Sequence, residues 1–319
     1  MSIAVLGGTG FIGGVVVQRL VARGLQPLVI ARGQHSVNLP HGAVFETADR
    51  MDEGRLSTLF DRYDVSTVID IFALGMLNTA PVLRALGDKG RRYVLLSSVD
   101  VYANYGGLLR REQPAVQLAP ARETDPLRSF RHPYAGNPRR PKGVDDALFD
   151  DYDKIIVEQA ALAETRFSTT VIRAPMIFGP GVPQHRFAWA IEAIRAGGKI
   201  QVDERAAHWP NSYGYVTDVA EAIVIAALAS QAAGRIYNVG QPIVRTPLQW
   251  LARLAEVMDV PASVEIVPPE AHGLLWDRAE ASDLRYPLTL DTTRIRAELG
   301  FVEPTPEHDA LVATIEAGG

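Results

Sequence analysis

Short apolar runs alternate along the chain with segments in which apolar residues recur every three or four positions. Such runs are typical of buried strands, and the wider spacing is typical of helices that bury one face. The runs predict strands at 2–6, 25–31, 43–46, 67–72, 92–97 and 169–174. The spacing predicts helices at 11–22, 56–63, 79–86 and 154–164. Strands that are apolar throughout indicate a parallel sheet covered on both faces, so the predicted fold class is α/β and doubly wound.

The segment 103–145 interrupts this pattern, because it is rich in proline, arginine and glycine and has no steady period. It follows the carboxyl end of the fifth predicted strand, which is the ligand side of an open parallel sheet. A loop of this length in a compact domain is usually a functional lid or a disordered segment. Beyond residue 180 the alternation is less regular, with predicted helices at 187–196, 218–229 and 247–258 and strands at 199–202 and 235–239.

The composition is that of an ordinary globular protein. The chain has 319 residues, 47% of them hydrophobic and 22% charged, and is long enough for two lobes. Its formal net charge is −5, and its basic residues are scattered apart from Arg139, Arg140 and Lys142, which predict a solvated loop. We therefore expect no nucleic-acid partner. No apolar run reaches the roughly 18 residues of a membrane span, so we expect no membrane partner.

The chain contains no cysteine. This excludes disulfides, thiolate catalysis and cysteine-ligated zinc. The seven histidines are too dispersed to suggest a metal site. The first strand begins at Ser2, which leaves no room for a signal peptide. These features favour a cytoplasmic protein without a bound metal.

A glycine-rich turn joins the first predicted strand to the first predicted helix. Its spacing is G-x-x-G-x-x-G. Glycine is needed where the turn is tight and where the backbone must approach a pyrophosphate, and the helix N-terminus behind the turn offers free N–H groups. The turn therefore predicts a dinucleotide site whose binding residues are Gly7, Thr9, Gly10, Phe11, Ile12 and Gly13.

The end of the second strand bears on the choice of cofactor. An acidic residue there would bind the ribose 2′-hydroxyl of NAD. This chain has Arg32 instead, and a guanidinium can pair with the 2′-phosphate of NADP. We predict NADP, with NAD as the alternative. Asp49 and Arg50 follow the third strand, where Asp49 is expected to contact the adenine amino group.

Five sequence markers together resemble the extended short-chain dehydrogenase/reductases, the NAD(P)-dependent epimerase/dehydratase family. They are GGTGFIG at 7–13, SSVDVY at 97–102, RAPMIFGPG at 173–181, YVTDVAEAI at 215–223 and DTTRIRAELGF at 291–301. The resemblance implies a Rossmann lobe of residues 1–180 with a return segment near 215–240. Residues 181–319 would mainly form a smaller, discontinuous C-terminal substrate lobe, with the site in the cleft. Pro175 and Met176 of the third marker are then expected beside the cofactor.

The resemblance also implies catalytic residues. Ser98 matches the family's Ser or Thr four residues before the tyrosine of the VY pair, where it would bind the reacting oxygen. Lys154 keeps the family's Lys-x-x-x-Glu spacing and would bind the nicotinamide ribose. The family's tyrosine stands four residues before that lysine, where this chain has Asp150. Tyr152 is only two residues before Lys154, about 200° away on a regular helix.

Tyr152 therefore reaches the site only if the chain ahead of Lys154 is irregular. Asp150 and Asp151 instead favour a helix that starts near them. Tyr152 is either the acid/base or a packing or substrate-contact residue. Asp100 is the other candidate, because the sugar-dehydratase branch of the family has an acidic base at the matching position. That branch carries a second acid where this chain has Val99, which weakens the dehydratase interpretation.

The function predicted from these residues is hydride transfer at a secondary alcohol or ketone of a sugar-like or other small-molecule substrate. The resemblance favours epimerisation and Arg32 favours net NADPH-dependent reduction. A cofactor-binding sensor or scaffold that has lost its tyrosine is the alternative of another class. For the substrate's diphosphate, Arg278 or Arg285 are candidates, because the family's usual arginine is missing. A homodimer is left open.

Overall fold

The central sheet of the protein is parallel and has seven strands in the part of the chain that the structure describes. The structure is a computed structural model, and it describes residues 2–33, 38–138, 140 and 144–318. In spatial order the strands are β10 (Ile236–Asn238), β6 (Ser168–Ala174), β5 (Arg92–Ser98), β4 (Val65–Asp70), β1 (Ser2–Leu6), β2 (Leu28–Ala31) and β3 (Val44–Thr47). This confirms the predicted doubly wound α/β fold.

Helices cover both faces of this sheet. The helices up to residue 163 are α1 (Phe11–Ala22), α2 (Glu53–Arg62), α3 (Met76–Ala85), α4 (Ala103–Leu108), α5 (Asp146–Asp150) and α6 (Lys154–Ala163). The later ones are α7 (Ala188–Ala196), α8 (Glu204–Ala207), α9 (Val216–Leu228), α10 (Pro247–Met258), α11 (Trp276–Ala281), α12 (Thr293–Leu299) and α13 (Glu307–Glu316). Among the described residues, none of these helices has the length and apolar character needed to cross a membrane.

Strand β1 shows why the strands are apolar on both sides. Ile3 and Val5 pack into the cluster that includes α1 and α9, whereas Ala4 and Leu6 pack into the cluster on the opposite face with α2, α3 and α6. Successive side chains of a strand point to opposite faces, so a sheet covered twice needs apolar residues at every position.

Two small parallel sheets lie beyond β6. Strand β7 (Met176–Phe178) pairs with β9 (Tyr213–Tyr215), and β8 (Lys199–Asp203) pairs with β11 (Ser263–Val267). An aromatic cluster lies beneath them, with Phe178 and Phe187 packed against the buried Trp250. Strand β11 was not predicted, because it is mostly exposed and lacks a continuous apolar run.

The described part of segment 103–145 packs against the rest of the protein. Ala121 pairs with Leu290, and the Glu123 carboxylate accepts a hydrogen bond from the Asn238 backbone N–H. Arg128 is 1% exposed. Glu123 and Arg128 thus make buried contacts although many residues around them are exposed, and such isolated contacts give no periodicity. Arg139 and Lys142, of the predicted solvated loop, lie outside the described residues.

Candidate active site

Close backbone packing shapes the glycine turn between β1 and α1. A Cβ atom on Gly13 would lie 2.1 Å from the Gly7 carbonyl oxygen, so only glycine fits there. Gly7 has φ +82°, in the left-handed region that favours glycine. Gly10 caps α1 without a side-chain hydrogen bond, and its own Cβ would meet only the Gly7 carbonyl oxygen, at 3.4 Å. The N-terminus of α1 therefore has no side chain over it, which leaves room for a pyrophosphate.

A cleft of about 930 Å³ opens beside this turn. It is bounded by the ends of β1, β2 and β4, by the start of β7, and by residues 144–148 before and within α5. The predicted cofactor residues that line it are Gly7, Thr9, Gly10, Phe11, Ile12, Arg32, Asp49, Arg50 and Pro175. Gly13, Met176 and Lys154 do not line it: Gly13 packs on Gly7, Met176 packs into two apolar clusters, and Lys154 is buried.

Arg50 lines the cleft and is also bound to the end of strand β4. Its guanidinium makes two hydrogen bonds to the Asp70 carboxylate, of 3.0 and 2.6 Å, and its Nε donates to the Asn78 carbonyl oxygen. Asp70 is fully buried at the end of β4 and also accepts from the Tyr93 hydroxyl. Arg50 therefore has little freedom to move, and any contact with a cofactor would come from a fixed edge of its guanidinium.

The helical structure is interrupted between α5 and α6, at residues 151–153, which we call the break. Helix α5 ends at Asp150, and α6 begins only at Lys154, with Asp153 as its N-cap at φ −159°. The helix start predicted at Lys154 from the apolar spacing is therefore confirmed, and the alternative start near Asp150 or Asp151 is wrong. Asp153 is the better cap, because its carboxylate accepts from the Ile155 N–H and is held by a buried arginine as well. The break frees Tyr152 from the helical geometry that would have turned it away.

The Tyr152 hydroxyl donates a 2.6 Å hydrogen bond to Asp100 Oδ2. Ser98 lies beside this pair, and its Oγ accepts a hydrogen bond from the Asp100 backbone N–H. Burial raises the pKa of Asp100 above its usual range. Burial, followed by the Asp100 carboxylate, raises the pKa of Tyr152 well above 10, and Ser98 opposes that rise. Asp100 Oδ1 is buried and has no hydrogen-bond partner within the described chain.

Lys154 lies close to the Tyr152–Asp100 pair. Its Nζ donates to the carbonyl oxygens of Ala73 and Leu96, at 2.7 and 2.9 Å, and lies 5.8 Å from the centre of the Tyr152 ring. Burial lowers the pKa of Lys154 to about 8. An ammonium has three N–H donors, so one donor remains for another partner.

A buried ion pair that the sequence analysis did not predict connects two segments of this site. The side chains of Arg128 and Asp153 are fully buried, and Arg128 Nη2 lies 3.0 Å from Asp153 Oδ1. The Arg128 Nε also donates to the Asp100 backbone carbonyl oxygen. Arg128 thereby ties the turn that carries Asp100 to the break that carries Tyr152. The signal in the sequence was an arginine in a segment without pattern, which does not distinguish a buried residue from a solvated one.

Asp150, at the position of the family's tyrosine, faces away from the site. Its carboxylate accepts from the Gly136 N–H and from Arg140, and the Arg140 guanidinium lowers its pKa. Arg285 pairs with Asp283 at the surface. Arg278 lies over the Trp209 ring, 5.5 Å from its centre. The described residues hold no group of three or more His, Asp or Glu side chains that could bind a metal ion.

The chain is similar to known proteins over most of its length. Residues 3–135 and 151–240 match the NAD dependent epimerase/dehydratase family. A curated relative, dTDP-6-deoxy-L-talose 4-dehydrogenase (NAD(P)(+)) from Kitasatospora kifunensis, is 27% identical over 336 residues, covering 97% of this chain and 93% of the relative. Residues 136–150, which include α5 at the cleft, lie between the two matched blocks.

Two solved structures illustrate the similarity of fold. The UDP-glucose-4-epimerase of Stenotrophomonas maltophila with bound NAD has a TM-score of 0.71 at 19% identity, over 100% of this chain and 98% of that one. The dTDP-glucose 4,6-dehydratase of Bacillus anthracis with NAD has a TM-score of 0.69 at 16% identity, over 99% and 96%. The resemblance carried by the five sequence markers is thus confirmed. The chain belongs to the NAD dependent epimerase/dehydratase family and is a nicotinamide-dependent enzyme that acts by hydride transfer.

Proposed function

We propose that the protein oxidises a secondary alcohol, or reduces the corresponding ketone, of a sugar-like small molecule, with Tyr152 as the acid/base. The observation that carries the proposal is the 2.6 Å hydrogen bond between the Tyr152 hydroxyl and Asp100, beside Ser98 and Lys154. The family's tyrosine position is lost in the sequence, yet the break at 151–153 brings another tyrosine to the cluster.

The residues of the cleft fit a dinucleotide. The turn at 7–13 leaves the N–H groups of α1 open to a pyrophosphate, and the cleft is large enough for an extended ligand. The nicotinamide, when bound, accepts or supplies the hydride. Lys154 would donate its remaining N–H to the nicotinamide ribose, and Asp49 would contact the adenine. Arg32 is exposed at the cleft, where its guanidinium would pair with a 2′-phosphate and favour NADP.

The proton moves through the Tyr152–Asp100 pair. As the substrate alcohol is oxidised, its O–H proton passes to the Tyr152 oxygen, and the tyrosine's own proton passes to Asp100 Oδ2. Ser98 donates to the same substrate oxygen and orients it. Burial raises the pKa of Asp100, which makes its carboxylate a better proton acceptor than an exposed aspartate. Reduction of a ketone runs the same transfers in reverse.

The relative from Kitasatospora kifunensis is named as a 4-dehydrogenase of a dTDP-linked deoxysugar, which supports net oxidation or reduction over epimerisation. We propose a nucleotide-linked sugar as the first substrate class to test. Residues 181–319 would supply most of its binding lobe. The cytoplasmic location, the homodimer and the boundaries of the two lobes stay predictions.

Two variants test the acid/base assignment. Tyr152→Phe removes the hydroxyl that handles the proton, so turnover should fall by about 10²–10⁴, the usual contribution of general acid–base catalysis. Asp100→Asn removes the proton acceptor and should slow oxidation strongly. Both are assayed for NADP-coupled turnover of dTDP- and UDP-linked sugars, and for cofactor affinity by calorimetry, which should stay nearly unchanged.

The matched control is Tyr63→Phe. The Tyr63 hydroxyl donates a 2.6 Å hydrogen bond to Glu46, outside the candidate site, so its removal should leave turnover unchanged. Full activity in both Tyr152→Phe and Asp100→Asn would contradict the proposal and would favour a proton donor from the segment 103–145. Cofactor binding without turnover by the unaltered protein on any alcohol or ketone would instead support a sensor or scaffold.

A further inference from the structure

A series of three aromatic rings ends at the break. Tyr134 stacks on Phe149 of α5, with ring centres 5.1 Å apart and planes at 12°, and it contacts Tyr152 at 4.9 Å between ring centres. Both separations lie in the range of about 4.5–7 Å that is typical of attractive aromatic pairs. We call Phe149, Tyr134 and Tyr152 the ring series. Tyr134 therefore links α5 to the proposed acid/base.

Tyr134 also contacts the segment that carries Asp100. Its hydroxyl lies 2.5 Å from the hydroxyl of Tyr105. Tyr105 is on α4, which begins three residues after Asp100. The ring of Tyr134 thus touches Tyr152, while its hydroxyl is bonded to the chain that follows Asp100. Tyr134 can therefore fix one partner of the 2.6 Å Tyr152–Asp100 hydrogen bond relative to the other.

The other end of the ring series is held by an arginine. The Arg140 guanidinium lies 5.1 Å from the centre of the Phe149 ring, and its Nη1 lies 2.8 Å from the Asp150 carboxylate. Asp150 also accepts a hydrogen bond from the Gly136 N–H. A guanidinium over a ring face is attracted to it. These contacts join the two ends of the segment 136–150 and hold Phe149 in place.

Tyr152 needs such support because it lies outside a helix. In a regular helix the neighbouring turns restrict the rotamer of each side chain. Tyr152 lies in the break, directly before the N-cap of α6, and its backbone N–H donates to the Phe149 carbonyl oxygen at 3.3 Å. An acid/base must stay within hydrogen-bond reach of the reacting oxygen, and a displacement of about 1 Å can cost about a hundredfold in rate. The ring series supplies the constraint that α6 does not.

The segment that contains α5 is also where the chain departs from its family. Residues 136–150 lie between the two matched blocks. Without these fifteen residues Tyr134 would stand five positions before Lys154, one more than the spacing of the family's tyrosine. The Tyr134 hydroxyl contacts Tyr105, however, whereas the Tyr152 hydroxyl donates to a carboxylate. The unmatched residues thus coincide with a change of the tyrosine that reaches the carboxylate.

We infer that Tyr134 and Phe149 are positioning residues, which hold the Tyr152 hydroxyl against Asp100 through ring contacts and replace the helix that would otherwise orient it. The inference rests on the proposed function in one respect, the role of Tyr152 as the acid/base. The contacts that position Tyr152 do not depend on that role. Turnover therefore tests the role and the positioning together, and a second measurement on Asp100 tests the positioning alone.

The first measurement separates the ring of Tyr134 from its hydroxyl. Tyr134→Leu removes the ring, Tyr134→Phe keeps it, and Phe149→Leu removes the next ring of the series. Each variant is assayed for kcat, KM and cofactor affinity in NADP-coupled turnover of dTDP- and UDP-linked sugars, alone and combined with Tyr152→Phe. The matched control is Tyr63→Leu, because Tyr63 is also a half-buried tyrosine with a bonded hydroxyl, and it lies outside the candidate site.

Loss of the Tyr134 ring should affect the chemical step. Tyr134→Leu should lower kcat about tenfold to a hundredfold and change KM and cofactor affinity less than about twofold. Phe149→Leu should lower kcat less, Tyr134→Phe should retain most of it, and Tyr63→Leu should leave it unchanged. In the Tyr152→Phe background, Tyr134→Leu should cost less than about twofold more, since a residue that acts through Tyr152 has no effect once that hydroxyl is absent.

The second measurement is the pKa of Asp100, followed by carbon NMR of its carboxylate and assigned with Asp100→Asn. Burial raises this pKa, and the hydrogen bond from Tyr152 lowers it. Tyr134→Leu should therefore raise the Asp100 pKa, and Tyr152→Phe sets the rise for complete loss of that bond. Other charged groups that act on the Asp100 pKa are the same in every one of these variants, namely Arg128, Lys154 and Asp153.

Four results would overturn the inference. Tyr134→Leu leaves both kcat and the Asp100 pKa unchanged, or it lowers that pKa, which would mean that the ring only excludes water. Tyr134→Phe loses as much turnover as Tyr152→Phe, which would make Tyr134 an acid/base itself. The losses of Tyr134→Leu and Tyr152→Phe multiply, which would mean that they act independently. Full turnover by Tyr152→Phe would contradict the proposed function instead, and a raised Asp100 pKa in Tyr134→Leu would still support the positioning of Tyr152.

Discussion

The glycine turn at 7–13 and the break at 151–153 both belong to the proposed site, but different forces shape them. The turn is set by its own backbone, because Gly13 packs so closely on Gly7 that any side chain would clash. The break is set from a distance, because the Asp153 carboxylate that caps α6 is held by Arg128, 25 residues earlier. A local constraint leaves a mark in the sequence that can be recognised, whereas a distant ion pair leaves none.

The largest effect should come from Arg128→Met, which removes the distant constraint. The change leaves the Asp153 carboxylate buried without its cation, so the free energy of unfolding should fall by about 3–5 kcal/mol. Urea denaturation measures the loss. Arg166→Met, at an exposed pair with Glu164, is the control and should change stability by less than about 0.5 kcal/mol. A similarly small loss for Arg128→Met would mean that the break is locally encoded after all.

Gly10→Val tests the local side of the comparison. The extended backbone of Gly10 accepts any residue, but the valine side chain would fill the space proposed for the pyrophosphate. Losing hydrogen bonds from about two backbone N–H groups to a charged ligand should weaken cofactor binding about a hundredfold. Calorimetry gives the affinity, and circular dichroism should show an unchanged fold.

The matched control for that variant is Gly14→Ala. A Cβ atom there comes no closer than 3.9 Å to the Gly8 carbonyl oxygen, and alanine favours the helix. Cofactor affinity should stay within about twofold. Equal affinities for Gly10→Val and the unaltered protein would remove the turn from the binding site.

Lys154→Met tests the break in a second way, because it removes a buried charge directly after it. Burial lowers the Lys154 pKa to about 8, from 10.5. Between these values the unfolded chain binds more protons than the folded protein, so the folded protein gains stability as pH rises. From pH 7 to 10 the unaltered protein should gain about 1–3 kcal/mol relative to Lys154→Met. Parallel curves of unfolding free energy against pH would show that burial does not lower the pKa of Lys154.

Arg32→Ala should have the smallest effect and concerns the part of the cleft that follows β2. Loss of one charge-assisted hydrogen bond should weaken NADP about tenfold and NAD hardly at all. Fluorescence titration of both cofactors gives the ratio. Arg62→Ala, at the surface pair with Glu46, is the control and should leave both affinities unchanged. Equal losses for NADP and NAD would mean that Arg32 supports the loop and does not select the cofactor.

The sequence predicts those parts of the structure that depend on local signals, and it fails where contacts between distant residues decide. Helix α10 is predicted at its observed bounds, because its apolar face and its capping Thr246 are local signals. The second strand begins at Leu28 and not at Leu25, since Pro27 lacks the N–H that a ladder would need. The apolar spacing predicts the start of α6 at Lys154, as observed, whereas the aspartates favoured a start three or four residues earlier, because charge near a helix end does not identify the carboxylate that caps it.

The sequence by itself determined the parallel sheet, the dinucleotide turn and the family, because apolar period and glycine spacing are local constraints that every residue of an element shares. Only the tertiary structure decided which tyrosine contacts Asp100 and which carboxylate binds Arg50. Those outcomes depend on buried contacts between residues far apart in the chain, such as Arg128 with Asp153. Burial selects such partners by the desolvation cost of leaving them unpaired, and that cost exists only once the chain has folded.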